Sequence, residues 1–236
     1  SAYGTEYAET CSGINGFTLG AQSVNPNAKV YVKELGTWAD EVNESAFAKE
    51  LIQTYNCGVI SQHCDSAQPQ IAAQDAGVFG CGYNSDMTEQ APNAHLTAAI
   101  WHWDVYYQAA IETAMTCGGA ENFVTEMGGN AYYAGLSEGF VDASTLNELV
   151  AAPGTAAAME AVRELIDSGE WDVFSGVKLN ITVDAEAGTA AVEQVDAPLM
   201  SDGYELKDGE VVEMANPEIV PAGGASVTDD VIKSGM

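Results

Sequence analysis

The stretch CGVISQHCDSAQPQIAAQDAGVFGCGYNSD, Cys57–Asp86, decides how this chain is built. CGVISQH is a short apolar run of the buried-strand type. SAQPQIAAQDAG reads as a helix closing on Gly77, and VFGCGY is the next strand. Upstream, Asp40–Tyr55 reads as an amphipathic helix with Phe47, Leu51 and Ile52 on one side, and KVYVKEL before it alternates like a strand. Strand, helix, strand, helix, strand at this spacing is the pattern of a parallel sheet covered on both faces by helices, an α/β fold.

The flanks extend the pattern. EYAETCSGINGFTLGAQSV, with Ile14, Phe17 and Val24 set among small residues, reads as a helix packed closely on a sheet and broken by NPNA. After Asp86 comes a polar connection, MTEQAPNAH, then a strand, LTAAIW, and a helix through Tyr106, Tyr107, Ile111 and Met115. CGGAENFVTEMGGNAYYAGLSEGF holds six glycines and reads as loops around a short strand. Pro153, an apolar stripe and Gly169 mark a further helix, PGTAAAMEAVRELIDSGE. From Ser175 onward polar and β-branched residues alternate, and DGYELKDGE is the turn between two short strands.

Composition narrows the function. The 236 residues suffice for a large core, and 47% of them are hydrophobic. Thirty-five acids face seven bases, of which Arg163 is the only arginine, for a formal charge of −28. Nucleic acid and anionic membrane surfaces are thereby poor partners, since both need a basic footprint. No apolar run reaches 18 residues, and the five cysteines match no zinc spacing. They read as free thiols, an odd count arguing against a fully disulfide-bonded framework, and no metal or other cofactor is expected.

In a parallel α/β sheet, ligands bind beyond the carboxyl ends of the strands. Four such tips here are polar or aromatic: Trp38 after Gly36 and Thr37; His63, Cys64, Asp65 and Ser66; Tyr83, Asn84, Ser85 and Asp86; and Trp101, His102, Trp103 and Asp104. Converging, they form a cleft with flat walls and several hydrogen-bonding groups, suited to a planar polar ligand such as a nucleobase or nucleoside. A carboxylate such as Asp86 accepts from ribose hydroxyls or a base N–H. Competing structural roles exist for each residue. Asp65 and Asp86 can serve only to cap the segments that follow, Trp101 and Trp103 to anchor a core, and His63 to sit satisfied in the interior. No nucleophile elbow and no Gly-rich loop followed by Lys-Ser or Lys-Thr is present, so binding without chemistry is the simpler account.

Five ordered blocks carry a resemblance: GINGFTLGAQSVNPNAKV, GVISQHCDSAQPQIAAQDAGVFGCGYNSDM, APNAHLTAAIWHWDVYY, GLSEGFVDAS and SGEWDVFSG. Over most of Gly13–Gly176 the chain resembles the basic membrane lipoprotein family, also called BMP or PnrA-like, the substrate-binding proteins of ABC importers of purine nucleosides and related compounds. The resemblance implies a type I periplasmic-binding-protein fold, two α/β lobes joined by three crossing segments. It implies that residues 1–85 form most of the second lobe, and that 86–118 are a crossing and return helix belonging to the first. Residues 119–176 are then the return crossing and further second-lobe elements, and 177–236 C-terminal strands and crossing region. It further implies that the chain is incomplete at its N-terminus, associating with the missing first lobe or with itself.

For the site, the resemblance makes Asp86 the acid on the ligand's ribose and Gln62, His63 and Asp65 a pocket wall. Trp38, Asn84, Trp101 and Trp103 complete the candidates from the strand tips. Trp101 stands where many nucleoside binders have a lysine, which leaves the purine class open between nucleoside and free base. The implied function is capture of a purine-type ligand for an ABC permease, outside the cytoplasm, by a periplasmic or lipid-anchored protein. A sensory module of the same fold and a nucleoside-processing enzyme acting through Asp86 and His63 are the alternatives.

Overall fold

The strand–helix–strand unit forms as its sequence dictates. In a computed structural model that describes residues 1, 8–25, 27–173, 177–198, 204–207, 210–213 and 219–221, β2 (Val59–Ser61), β3 (Phe79–Asn84) and β4 (His95–Trp101) run parallel side by side. β5 (Val141–Ala143) closes the four-stranded sheet antiparallel to β4, so the order is β2-β3-β4-β5. Ile60 lies opposite Gly80, Gly82 opposite Ala98, and Trp101 opposite Val141.

Local chemistry sets the helix limits. Asp40 caps α2 (Glu41–Tyr55) by accepting from the Asn43 N–H at 3.1 Å, while the Glu44 carboxylate accepts from the Asp40 N–H at 2.8 Å. The acids of the first turn also meet the positive end of the helix dipole. α2 ends because Asn56 turns left-handed (φ 56°), and the Cys57 N–H reaches back to the Leu51 carbonyl. α3 (Gln68–Ala76) stops in the same way at Gly77, φ 71°. Between these helices and the sheet lies a core of five alanines, Ala48, Ala72, Ala73, Ala91 and Ala94, around Ile60, flanked by Leu51, Ile52, Cys57 and Val78. Alanines let helix and sheet backbones approach closely, so this core is dense rather than voluminous.

α1 (Ala8–Val24) lies against β6 (Val177–Asp184), which pairs antiparallel with β7 (Thr189–Pro198). α6 (Thr155–Asp167) packs on the same hairpin. It starts at Gly154, φ 87°, where a Cβ would stand 2.4 Å from Val183 Cγ1. β8 (Tyr204–Lys207) and β9 (Glu210–Glu213) form the hairpin expected at YELKDGE, whose turn at 208–209 lies outside the described residues. Residues 222–236 of the expected C-terminal crossing region also lie outside them.

Two expectations need correction. β1 (Val30–Val32) pairs in parallel with β10 (Ile219–Pro221), and among the described residues it makes no ladder with β2. Local spacing assigns a strand to its sequence neighbour by default, and a partner so far along the chain leaves no local signal. The glycine-rich segment holds a helix, α5 (Ala120–Glu126), rather than a strand; β5 comes after it. Its glycines flank the run AENFVTE and do not interrupt it, so they act as stops.

The chain leaves the sheet at Trp101, makes α4 (Trp103–Thr116) and α5, and returns at Val141. The outgoing and returning segments are tied by the His102 N–H donating to the Phe140 carbonyl at 2.8 Å. Neither helix contains a buried residue among those described.

Candidate functional site

The tips of β2 and β3 bring three aromatic rings together. His63 meets the Tyr83 ring edge-on, centroids 4.3 Å apart and planes at 74°. The Trp38 ring also meets His63 edge-on, centroids 6.0 Å apart and planes at 78°. Such T-shaped pairs are favoured by the ring quadrupoles and hold rings in fixed orientation. The Asp65 N–H donates to the Trp38 carbonyl at 3.0 Å, which fastens the segment after β1 to the turn after β2. α1 approaches this group at Gly13, where a Cβ would lie 3.3 Å from His63 Nδ1. That nitrogen is buried without a hydrogen-bond partner among the described residues.

Burial lowers the His63 pKa to about 4, so the ring is neutral at pH 7. The sign of the linkage follows. Between pH 6.5 and about 4 the unfolded chain takes up a proton that the folded His63 refuses, so stability falls as pH drops through that window and levels below it. The ring is only partly buried, and the discounted effect is about 2 kcal/mol. Urea unfolding at pH 7 and pH 4.5 should show wild type losing about 2 kcal/mol more than His63→Phe, which has no proton to gain. Equal losses would contradict the neutral, partly buried ring.

Asp86 lies just past β3, with its side chain 46% exposed. Oδ1 accepts from the Thr88 N–H at 2.8 Å, an Asx turn that directs the chain away from the sheet. Hydrogen bonding from Thr88 holds the carboxyl below the usual carboxylate range. Asn84, the last residue of β3, is exposed and left-handed at φ 71°, a conformation that asparagine tolerates better than most residues. Asp65 is exposed at the β2 tip.

Trp101 and Trp103 belong to a second aromatic group with Phe140 and Tyr132, at the crossing between β4 and α4. Trp101 lies 5.8 Å from Trp103 and 5.7 Å from Phe140, and Tyr132 lies 5.3 Å from Phe140. Beside it Asp142 accepts from Arg163 Nη1 at 2.5 Å, with His102 Nε2 3.9 Å from its other oxygen. The candidates therefore fall into two neighbouring groups. Trp38, His63, Asp65, Asn84 and Asp86 lie at the β2 and β3 tips, and Trp101 and Trp103 lie at the β4 tip.

Gln62 is buried beneath the first group, with its amide bonded within the protein to Cys64, Ser66 and Gln70. Gln70 and His95, absent from the sequence-derived candidates, are wholly buried beside it. A Cβ at Gly80 would fall 2.1 Å from Gln70 Oε1, and one at Gly82 would fall 2.8 Å from His95 Cε1. The alternating glycines of VFGCGY were the available signal: they open space for two polar side chains. Cys64 and Cys81 are poor nucleophiles, because burial pushes their thiols up to about 12 and about 11. Cys57, Cys64, Cys81 and Cys117 are free, and the Cys11 side chain lies outside the described residues.

The model of the family described as ABC transporter substrate-binding protein PnrA-like matches residues 2–168, and the chain belongs to that family. A purine-binding protein of Brucella abortus (strain 2308) is 42% identical over 99 residues, 42% of this chain and 28% of that protein. A Haloferax volcanii protein provisionally named an ABC transporter glucose-binding protein is 37% identical over 105 residues, 44% of this chain and 27% of its own length. A metabotropic glutamate receptor-like protein of Dictyostelium discoideum is 35% identical over 71 residues, 30% of this chain and 10% of that protein. The match thus spans little more than a quarter of either of the first two relatives.

Proposed function

We propose that the chain is a ligand-gripping α/β lobe of an extracytoplasmic solute receptor that delivers a purine nucleobase or nucleoside to an ABC permease. The observation that carries this reading is the Trp38–His63–Tyr83 ring group at the carboxyl ends of parallel strands, with the ionised Asp86 just past the end of β3. Flat rings and a fixed acceptor suit a heteroaromatic base and its sugar. The name of the Brucella relative supports the purine class. Among the described residues no helix is long and apolar enough to cross a membrane.

In the same reading, α4 belongs to the first lobe of a two-lobe receptor. Trp103, Tyr107, Ile111 and Met115 form an i, i+4 row on α4 that is 49%, 57%, 60% and 81% exposed. An apolar row of this kind is the face that meets the rest of that lobe. Ligand binding then draws the lobes together, and the permease recognises the closed form.

A sugar is the second reading, favoured by the Haloferax relative, because aromatic rings and carboxylates also suit sugar faces and hydroxyls. Sensing in place of delivery would use the same site. Isothermal titration with adenosine, inosine, hypoxanthine, xanthine and glucose, followed by chromatography of the ligand, separates the purine reading from the sugar reading and from an enzyme. A saturable one-to-one heat with an unaltered purine is expected. Heat from glucose alone transfers the site to sugars, and release of free base from a nucleoside would make the protein an enzyme.

A further inference from the structure

Gln62, Gln70 and His95 form a hydrogen-bond chain whose direction is fixed by groups that can only donate or only accept. Gln62 Nε2 lies 2.8 Å from the Cys64 carbonyl and 2.7 Å from the Ser66 carbonyl. Both carbonyls accept, so both amide protons of Gln62 face the turn and its Oε1 faces Gln70. Gln70 Nε2 donates to that oxygen at 2.9 Å and to the Cys81 carbonyl at 3.0 Å. Gln70 Oε1 is thereby directed at His95 Nδ1, 3.1 Å away. An amide oxygen accepts, so Nδ1 carries the imidazole proton, and Nε2 is left to accept the Met87 N–H at 3.4 Å.

We propose that His95 and Gln70 are positioning residues for the ligand site. Through Gln62 they clamp the turn that holds His63 and Asp65 at the β2 tip, and Gln62 faces inward instead of touching ligand. The inference rests on the reading of the β2 and β3 tips as the ligand site. The turn between Ser61 and Gln68 has no regular secondary structure to fix it. Its carbonyls at Cys64 and Ser66 are held by Gln62, and its Asp65 N–H is held by the Trp38 carbonyl. Freeing Gln62 would therefore loosen the His63–Trp38 ring pair as well. All three side chains of the chain are at least nine-tenths buried, where an unmade hydrogen bond is costly and a complete set enforces one geometry.

The test compares wild type, Gln70→Glu and Gln70→Leu by histidine ¹⁵N spectroscopy, amide exchange and titration with hypoxanthine and adenosine. Glutamate keeps an acceptor for His95 but as a carboxylate cannot donate to Gln62 or Cys81, and as a neutral acid can donate to only one of them; leucine removes both functions. Wild-type His95 should be the neutral Nδ1–H tautomer. In both variants the Asp65 amide should exchange at least about tenfold faster, with amides inside α2 still protected, and probe affinity should fall about tenfold. An Nε2–H tautomer in wild type, unchanged Asp65 exchange in Gln70→Leu, or an equal rise across α2 would overturn the clamp, the last by making Gln70 merely structural. If wild type binds neither probe, the ligand reading fails, while tautomer and exchange still decide the clamp.

Discussion

Gly80→Ala is expected to destabilise the fold by about 4 kcal/mol, a large share of the 5–15 kcal/mol typical of a domain. The added Cβ would stand 2.1 Å from Gln70 Oε1 and 2.9 Å from its Cδ. Gln70 is wholly buried and has no route to solvent. Moving it breaks its bonds to His95, Gln62 and the Cys81 carbonyl together. Each buried group left unpaired costs about 1–3 kcal/mol, and the forced shift of packed atoms adds about 1–3. Gly58→Ala is the matched control. A Cβ at Gly58 would meet no atom within 4 Å, and the residue has no left-handed φ, so its replacement should stay within about 0.5 kcal/mol of wild type. Urea unfolding of the three proteins measures the contrast. Equal stability of the two alanine variants would show that the Gln70 network contributes nothing to the fold.

That contrast also explains what was legible in the sequence. The parallel β2–α3–β3 unit was, because strand and helix periods, Gly77 and the Asp40 cap act over a few residues. The pairing of β1 with β10 was not, since it is fixed by chain closure across most of the molecule. At the candidate site, Trp38, His63, Asp65 and Asp86 were visible as polar and aromatic groups at strand ends. Gln70 and His95 were hidden because a glutamine on a helix and a histidine at a strand start carry no periodic signal. Their burial follows from the missing side chains of Gly80 and Gly82 on the neighbouring strand. Trp101 and Trp103 were legible as aromatic, but their separate grouping depends on Phe140 and Tyr132, which return only after the α4–α5 excursion.

Asp86→Asn is expected to weaken adenosine and inosine about 10–100-fold and to leave hypoxanthine within about threefold. On the proposed reading, the carboxylate accepts from ribose hydroxyls, and a charged acceptor is worth about 1.5–3 kcal/mol where a free base offers it nothing comparable. Asparagine is the informative substitution because its Oδ1 still accepts from the Thr88 N–H and so preserves the Asx turn. The loss then measures charge rather than a rearranged loop. Because Asp86 is held below the usual carboxylate range, wild-type nucleoside binding should not weaken through Asp86 between pH 8 and pH 5. Trp38→Ala supplies the crossing comparison. Losing a base-stacking face costs about 1–3 kcal/mol, so it should weaken nucleosides and free bases alike, by about 10–100-fold. Titration of both variants with both ligand types gives four affinities, and their pattern carries the decision. If Asp86→Asn weakens hypoxanthine as much as adenosine, the acid contacts the base and the ribose assignment is wrong. If Trp38→Ala leaves every affinity unchanged, the ring group at the β2 and β3 tips is not where the ligand binds.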